Sequence, residues 1–278
     1  MMVNLVRKAL LFLLSVCVYV WAGSFGEARG VATKRAGWRS FFPLHARVCP
    51  SLPLSDSLSL SFRVCSRPIS YFVSLHDCSL SVIRPYTPLD GDTTGFTQLI
   101  IKKYNDGKLT PHIHNLKPGD VISMKGPIAK YPYAANTKKK LGLIAGGTGL
   151  APMLQVIDAV LANPADKTEI SFVFANIAEE DILLRKELDE RAKKHKNFKV
   201  HYVLEKPPKG WSGSTGYVSK ETVQKYIPAP SNDNLVMVCG PPGMMKAISG
   251  SKAPDYSQGE LDGLLKDLGY TKEQVFKF

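Results

Sequence analysis

From Leu141 to the end of the chain, short apolar runs alternate with longer amphipathic stretches. Four segments of this part of the chain are predicted strands, at 141–145, 170–175, 198–204 and 235–239. Three stretches between them have helical spacing, near 150–163, 181–195 and 218–226. Regular alternation of this kind indicates a parallel sheet with right-handed crossovers, so we expect an α/β domain over 138–278.

The part of the chain from 83 to 137 has the pattern of all-β structure instead. Thr97–Tyr104 and Gly119–Gly126 are predicted strands, and a turn signal at Asp106-Gly107 lies between them. We therefore expect a β domain ahead of the α/β domain, with the join near Ala134–Lys140.

Residues 1–30 form a hydrophobic leader. Arg7 and Lys8 precede Ala9–Ala22, which is apolar except for Ser15 and has the order of a signal peptide. The apolar stretch is shorter than the ~20 residues that a membrane-spanning helix needs. A signal peptide, a membrane anchor and a misread start of the chain all stay open.

Residues 31–82 are left unassigned. Serine and leucine alternate in SLPLSDSLSLSF, and Leu58, Leu60 and Phe62 have the spacing of one edge strand. No longer period is present, so a disordered linker and a structured segment are both open.

Composition and charge narrow the classes of function. Hydrophobic residues make up 44% of the chain, as in a globular protein with a substantial core. The formal net charge is +12, but only Lys138–Lys140 forms a basic run close to aromatic residues, and we expect no nucleic-acid partner. Cys239 alone among five cysteines falls in the last two hundred residues, and no CxxC pair predicts a metal site or disulfide framework.

A glycine-rich turn interrupts the strand–helix pattern in GLIAGGTGLAPM, residues 142–153. Glycines in Gly146–Gly149 would let backbone N–H groups approach an anion at a helix N-terminus. The Walker A pattern fails because Thr148 and Gly149 replace its lysine and Ser/Thr, and the Rossmann pattern fails because Pro152 replaces its third glycine. A phosphate cradle and a tight turn without a ligand are both open.

Two other strand ends would meet this turn at the carboxyl edge of a parallel sheet. VCGPPGMMKAI at 238–248 places Cys239 there, either facing the crevice or as a small buried apolar residue. The loop after the second strand carries Glu179, Glu180 and Asp181, which suit a ribose 2′-hydroxyl and disfavour a 2′-phosphate. The same carboxylates would also complement a helix N-terminus.

Three motifs in order give the chain a resemblance to a known family. IRPYTPL (Ile83–Leu89), GGTGLAPM and CGPPGMM together resemble the NADH–cytochrome b5 reductases, which are ferredoxin–NADP reductase-like flavoproteins. The resemblance covers Ile83–Phe278, and the tail is most similar to the plant mitochondrial form. It implies an antiparallel flavin-binding barrel over 83–137, incomplete at its N-terminal side, followed by a parallel-sheet nicotinamide-binding domain over 138–278.

The resemblance also implies the FAD contacts. Arg84 would pair with the pyrophosphate, Tyr86 would pack on the flavin or its ribityl chain, and Thr87 would hydrogen-bond near the flavin N5 edge. A lysine at the position of Lys102 favours NADH in the family. The other flavin-side positions are Pro85, Ile100, Lys108, Leu109 and Thr110.

The resemblance implies that NADH binds to the glycine turn at 146–149 and to the strand end at 238–248. Cys239 would lie beside the nicotinamide and, with Thr87, be one of two catalytic positions. The cofactor-binding positions of this half are Gly146, Gly147, Thr148, Gly149, Asp181, Cys239, Gly240, Pro241, Pro242, Met244 and Phe278. No metal is implied.

The implied reaction takes a hydride from NADH to FAD and passes single electrons to cytochrome b5 or a similar acidic haem protein. Lys130 and Lys138–Lys140 would either steer that partner or form a solvated linker. Another acceptor, as in the reductase domain of nitrate reductase, is a further option. The resemblance of the tail implies a mitochondrial protein, and the leader indicates membrane association. Taken alone, the leader indicates a membrane, the secretory route or the endoplasmic reticulum.

Two departures from the family pattern support an alternative. Ala151 stands where the family has a threonine, and no G-Q-[HY] segment precedes Arg84, although His76 lies upstream in a different context. Half of the barrel is therefore expected to be absent or replaced, which would leave an unpaired sheet edge. The alternative is a non-enzymatic remnant that binds NADH but lacks a complete flavin site.

Overall fold

The computed structural model describes residues 17–19, 44–49, 58–61, 71–77, 82–89, 97–104, 106–117 and 120–278. The chain divides into two compact units. The first takes in the described residues up to Ile128, except Tyr71 and Leu89. The second takes in those two residues and the whole of Ala129–Phe278.

The first unit contains a seven-stranded sheet. Its strands are β1 (Cys17–Tyr19), β2 (Leu44–Cys49), β3 (Leu58–Ser61), β4 (Tyr71–Asp77), β5 (Val82–Tyr86), β6 (Thr97–Leu99) and β7 (Val121–Ala129). They lie in the order β5-β4-β7-β2-β1-β3-β6. The described pairs are antiparallel except for β1 with β3, which are parallel.

The structure corrects one expectation about residues 31–82. Leu58 and Leu60 lie in a strand, as predicted, but β3 lies between β1 and β6, so the prediction of an edge strand is wrong. Alternating serine and leucine predict extended chain and one apolar face, but they do not specify neighbours that are distant in sequence. Phe62 lies outside the described residues.

The chain between β6 and β7 also differs from the predicted strand over 97–104. The strand ends at Leu99, and a turn follows in which the Gly107 N–H donates to the Tyr104 carbonyl at 3.0 Å. A helix that the pattern did not predict comes next, α1 (Leu109–Asn115). Leu109 and Ile113 are four residues apart, so both are buried on one side of this helix.

The second unit contains a parallel sheet of six strands. The strands are β8 (Lys140–Gly146), β9 (Glu169–Asn176), β10 (Phe198–Leu204), β11 (Ser214–Thr215), β12 (Asn234–Cys239) and β13 (Val275–Lys277). Their order is β11-β10-β9-β8-β12-β13, and every neighbouring pair is parallel. The four strands predicted from apolar runs are confirmed, and so is the parallel sheet.

Helices of the second unit connect these strands. They are α2 (Leu150–Ala162), α3 (Arg185–Lys194), α4 (Lys220–Tyr226), α5 (Pro242–Ser249) and α6 (Gly263–Asp267). Short 3-10 turns lie at Gly147–Gly149, Glu179–Asp181 and Lys272–Gln274. The three predicted helices are confirmed. Across the described residues, no helix combines the length and apolar character needed to cross a membrane.

Side chains that alternate along the strands form two buried cores. On β9, Phe172 and Phe174 join one core with Leu143 of β8 and Leu154 of α2. Val173, between the two phenylalanines, joins the core on the opposite face. A strand with two buried faces needs apolar residues at successive positions, which is why the sequence shows runs rather than alternation.

The segment between β7 and β8 is held by side-chain hydrogen bonds within the second unit. The Tyr133 hydroxyl donates to the Asp166 carboxylate. Asn136 Nδ2 donates to the Ala165 carbonyl at 2.9 Å, and the Lys167 N–H donates to Asn136 Oδ1 at 2.7 Å. The chain around the predicted join is therefore part of the second unit and fixes the start of β8.

Candidate functional site

The two glycine turns predicted from the sequence leave the sheet side by side. β8 and β12 are neighbouring parallel strands, and their register places Ala145 opposite Cys239. The turn Gly147–Gly149 follows β8, and Pro241 leads from β12 into α5. Both turns lie at the carboxyl edge of the sheet, where open α/β sheets bind ligands.

Close contacts explain three of the glycines. A methyl group on Gly149 would lie 2.2 Å from the carbonyl oxygen of Cys239, a backbone atom that cannot rotate away. On Gly146 or Gly240, it would lie 2.5 or 2.7 Å from the sulfur of Met244. The two turns are therefore fitted closely to each other.

Gly147 has open space around it instead. Its φ is +53°, in the left-handed region, and no atom lies within 4 Å of the position a β-carbon would take. The turn leads into α2, whose N-terminus has no side-chain cap. A helix N-terminus without a side-chain cap, with open backbone in front of it, suits a phosphate group. The residues present therefore fit a dinucleotide at this edge.

The thiol of Cys239 is uncharged at neutral pH. Burial raises the pKa of Cys239 to about 12, and the nearby Lys252 ammonium offsets only part of that increase. A thiol in this state is neither a nucleophile nor a proton donor of useful strength. At the predicted catalytic position, Cys239 therefore contributes shape and polarisability rather than acid–base chemistry.

The last strand brings Phe278 to the same edge. Its N–H donates to the Val238 carbonyl at 3.0 Å, which extends the pairing of β13 with β12. The Phe278 ring packs edge-to-face on Phe276, with centroids 5.0 Å apart, and Phe276 packs likewise on Tyr131 at 4.9 Å. Backbone pairing thus places Phe278, a predicted cofactor-binding position, beside the end of β12 that carries Cys239.

A buried lysine fixes the loop between α5 and α6 to β13. The Lys277 ammonium donates to the carbonyls of Ser251, at 3.2 Å, and Glu260, at 2.6 Å. The loop carries Lys252, whose pKa is lowered by burial and by the positive charges of Lys130 and Lys277. Lys252 therefore lies close to Lys130 and Lys277, and it is the lysine whose charge acts on Cys239.

Two of the three carboxylates in the acidic loop after β9 already have partners in and beside the loop. Asp181 accepts a hydrogen bond from the Ala178 N–H at 3.2 Å, and it donates its own N–H to the Ala178 carbonyl at 3.1 Å. Glu179 pairs with Arg185, while Glu180 is exposed. The carboxylates thus stabilise the short 3-10 turn Glu179–Asp181, in line with the interpretation that they complement a helix N-terminus. They also lie at the end of β9, where the other interpretation places a ribose.

In the first unit, Arg84 and Tyr86 lie on β5 and Thr87 follows it. Arg84 is exposed, and its Nη1 donates to the carbonyl of Ile83 at 2.8 Å. Burial raises the pKa of Tyr86 to about 12, with the Arg84 charge opposing and Tyr104 adding to the increase. A planar cation beside an uncharged phenol fits a pyrophosphate beside an aromatic ring system.

The turn and helix after β6 hold the remaining predicted flavin positions. The Thr110 hydroxyl accepts from the Tyr104 N–H at 3.0 Å and so closes the turn that contains Lys108. The side chains of Ile100 and Leu109 are buried, so only their backbone is available to a cofactor. Lys108 is exposed and Lys102 is half-exposed.

Family models match both halves of this arrangement. Residues 64–133 match an oxidoreductase FAD-binding domain, and residues 143–250 match an oxidoreductase NAD-binding domain. The first match begins at residue 64, upstream of Ile83 and within residues 31–82, to which the sequence pattern assigns no domain.

Curated relatives decide the family. An NADH–cytochrome b5 reductase-like protein of Arabidopsis thaliana is 54% identical over 198 residues, which is 71% of this chain and 60% of the relative. NADH–cytochrome b5 reductase 2 of Debaryomyces hansenii is 50% identical over 200 residues, which is 71% of this chain and 67% of that protein. The chain belongs to the NADH–cytochrome b5 reductase family. It spans between about three fifths and two thirds of the length of these relatives.

Solved structures show the same fold. The cytochrome b5 reductase domain of Ulva prolifera nitrate reductase has a TM-score of 0.74 and 28% identity, with 85% of this chain and 97% of that chain covered. The CS-b5R domains of human Ncb5or, in the NAD+ form, have a TM-score of 0.71 and 22% identity, with 86% and 70% covered.

The lysines predicted from the sequence to steer a haem-protein partner, Lys130 and Lys138–Lys140, lie in two separate places. Lys138–Lys140 precede or begin β8, at the amino edge of the sheet, and contact Asn232, Asp233 and Glu169. A seven-residue strand, roughly 23 Å long, separates that edge from the glycine turn. Of these four predicted lysines, Lys130 is the one that lies close to Lys252. Lys130 therefore lies nearer the carboxyl edge of the sheet than Lys138–Lys140 do.

Sequence reasoning missed four residues near these sites: Asn176, Lys252, Lys277 and His114. Asn176 gave a weak signal, as a polar residue at the end of an apolar strand. His114 Nε2 lies 2.9 Å from the Ile101 carbonyl and thereby supports the backbone between Ile100 and Lys102. The lysines gave no signal, because their partners are distant in sequence.

Proposed function

We propose that this chain is an FAD-dependent oxidoreductase that takes a hydride from NADH and passes single electrons to cytochrome b5. The observation that carries the proposal is the pair of interlocked turns, in which Gly149 lies against the Cys239 carbonyl and leaves an open backbone in front of α2. The FAD-binding match and the names of the relatives support the flavin and the acceptor.

Flavin, when bound, accepts a hydride and releases electrons one at a time. The residues of this chain bind and orient the reactants. Arg84 holds the pyrophosphate of FAD, Tyr86 packs against its ring or ribityl chain, and Thr87 donates a hydrogen bond at the end of β5. The glycine turn binds the phosphates of NADH, and Cys239 shapes the nicotinamide end without exchanging a proton.

The acidic loop after β9 favours NADH over NADPH. Glu180 and Asp181 provide carboxylate oxygens, which accept hydrogen bonds from ribose hydroxyls and repel a 2′-phosphate. Lys102 in the first unit is a further selectivity position that the family resemblance assigns.

An acidic haem protein fits the charge beside Cys239. Lys252 is positive and near Cys239, the predicted nicotinamide position, and the positive charge of Lys130 lies close to Lys252. Complementary charge raises the rate at which protein partners meet. We assign these two lysines to the surface that receives cytochrome b5.

We further propose that the protein is membrane-associated and mitochondrial. The support is the resemblance of the tail and the apolar leader Ala9–Ala22. The full chain fused to a fluorescent protein is expected to fractionate with mitochondrial membranes, and the same fusion without residues 1–30 is expected to lose membrane association. Fractionation of the full chain with the endoplasmic reticulum would contradict the proposal.

Turnover with purified components tests the proposed function. The full chain, supplied with FAD and NADH, is expected to reduce cytochrome b5, and NADPH is expected to be a much poorer donor. Binding of NADH without flavin binding or reduction of cytochrome b5 would favour the non-enzymatic remnant.

A further inference from the structure

The side-chain amide of Asn176 has no partner. Both Nδ2 and Oδ1 are buried without a hydrogen bond, and the only comparable atom among the described side chains is His114 Nδ1. Buried amides almost always form hydrogen bonds, because the loss of water is otherwise uncompensated. An amide in which donor and acceptor both lack partners therefore indicates a contact that forms in another state of the protein.

Strand register places this amide next to the glycine turn. Ala175 pairs with Gly146, so Asn176 lies level with Gly147 on the neighbouring strand. Phe172 and Phe174 face the core that contains α2, and Asn176 follows on the same face because side chains alternate. The amide is thus at the carboxyl edge, on the face where α2 begins.

The Gly147 end of the turn beside Asn176 is free to change conformation, whereas Gly149 is held against the Cys239 carbonyl. Gly147 has a φ of +53° and open space around it, and no side chain caps either the turn or α2. Glycine changes its backbone angles at little cost. A small change in this turn would present a backbone N–H to Oδ1 or a carbonyl to Nδ2.

We propose that Asn176 is a positioning residue that holds the turn Gly147–Gly149 in the form that binds the pyrophosphate of a dinucleotide. The amide gains its partners from the turn backbone when the ligand binds. Because the amide is out of reach of solvent, the backbone that lies against it is a more accessible partner than the ligand itself. This inference rests on the proposed use of the turn for NADH.

The assignment predicts opposite effects of one substitution on stability and on binding. Asn176→Leu removes the unpartnered amide, so the melting temperature of the ligand-free protein is expected to stay equal or rise. The same variant lacks the group that holds the turn, so its Kd for NAD+ is expected to increase about tenfold, as for one lost hydrogen bond. Since ADP-ribose shares the pyrophosphate, its Kd should increase by the same factor.

Asn197 supplies the matched control. Its Nδ2 donates to the Thr168 carbonyl at 3.1 Å, and it precedes β10 at the opposite edge of the sheet. Asn197→Leu is expected to lower the melting temperature and to leave both Kd values unchanged. Asn176→Ser serves as a second variant if the leucine substitution prevents folding.

Two measurements on the full-length proteins test the role of Asn176. Calorimetric titration gives the Kd values for NAD+ and ADP-ribose, and melting curves give the stability of the ligand-free variants. Unchanged Kd values for Asn176→Leu would overturn the inference, and so would a drop in melting temperature as large as that of Asn197→Leu. If the wild-type chain bound neither ligand, the proposed function itself would fail, which is a separate result.

Discussion

The carbonyl oxygen of Cys239 lies against the α-carbon of Gly149, so close that a β-carbon there would come within 2.2 Å of it. This contact joins the turn after β8 to the turn after β12. One turn carries the predicted phosphate cradle and the other the predicted nicotinamide wall, so their separation is fixed by backbone atoms rather than by adjustable side chains.

Gly149→Ala is expected to damage both stability and NADH binding. The methyl group would push the two turns apart, at a cost of about 1–3 kcal/mol or more for an overpacked site. Gly243→Ala is the matched control, because nothing lies within 4 Å of its β-carbon position in α5. Melting curves and NADH titrations of the two variants check the prediction, which fails if both behave alike.

Cys239 is expected to resist alkylation at neutral pH. A thiol pKa of about 12, raised by burial, leaves roughly a thousandfold less thiolate than an ordinary cysteine has. The rate of iodoacetamide labelling at Cys239, followed by mass spectrometry of its peptide, should stay low until strongly alkaline pH. Urea-unfolded protein provides the control, and equal labelling of folded and unfolded protein at pH 7 would contradict the assignment.

Neutral His114 should make the first unit sensitive to acid. Burial, with the Lys103 charge adding, lowers the pKa of His114 in the folded protein. As pH falls below the unfolded value of about 6.5, the unfolded chain takes up the proton first, so stability falls. His114→Gln keeps a donor for the Ile101 carbonyl but does not titrate, so its stability should fall less between pH 7 and 5. Urea denaturation at several pH values measures the free energy of unfolding of both proteins. An equal loss of that free energy between pH 7 and 5 in the wild type and in His114→Gln would contradict the prediction.

Lys277→Met should release the loop between α5 and α6. The variant loses two hydrogen bonds from a buried ammonium, which is expected to cost about 1–3 kcal/mol. Lys272→Met is the control, since Lys272 contacts the same Glu260 through an exposed ion pair worth at most about 1 kcal/mol. Amide hydrogen exchange over residues 251–260 should increase only in the first variant.

Lys252→Gln should weaken cytochrome b5 as a substrate without affecting an uncharged acceptor. Removing one positive charge beside Cys239 is expected to raise the KM for cytochrome b5 severalfold and to leave turnover with menadione unchanged. Lys139→Gln removes the same charge at the amino edge, where Lys139 pairs with Asp233, and should change neither. An equal change in the KM for cytochrome b5 with the two substitutions would contradict the assignment of Lys252 to the surface that receives cytochrome b5.

The second unit could be predicted from the sequence because its signals are local. The predicted strand 198–204 matches β10 residue for residue. In β8 the apolar run 141–145 is buried at every position, because a strand buried on both faces needs consecutive apolar side chains. The two glycine turns were identified for the same reason. Each is marked by residues that only a tight turn requires.

The first unit could not be predicted as well because its contacts are distant in sequence. β3 takes its neighbours from Cys17–Tyr19 and Thr97–Leu99, and no periodicity encodes that pairing. Likewise, the roles of Asn176 and Lys277 depend on what lies beside them after folding. The raised pKa of Cys239 follows from burial, which a single residue letter does not specify.

Visible absorption of the purified full-length protein, before and after NADH is added without oxygen, tests the central claim most directly. The account predicts a flavin band that bleaches with NADH and returns on addition of oxidised cytochrome b5. A colourless protein that takes up no FAD, even though it binds NADH, would contradict the reductase function. NADH binding by the second unit would then be the function that the data support.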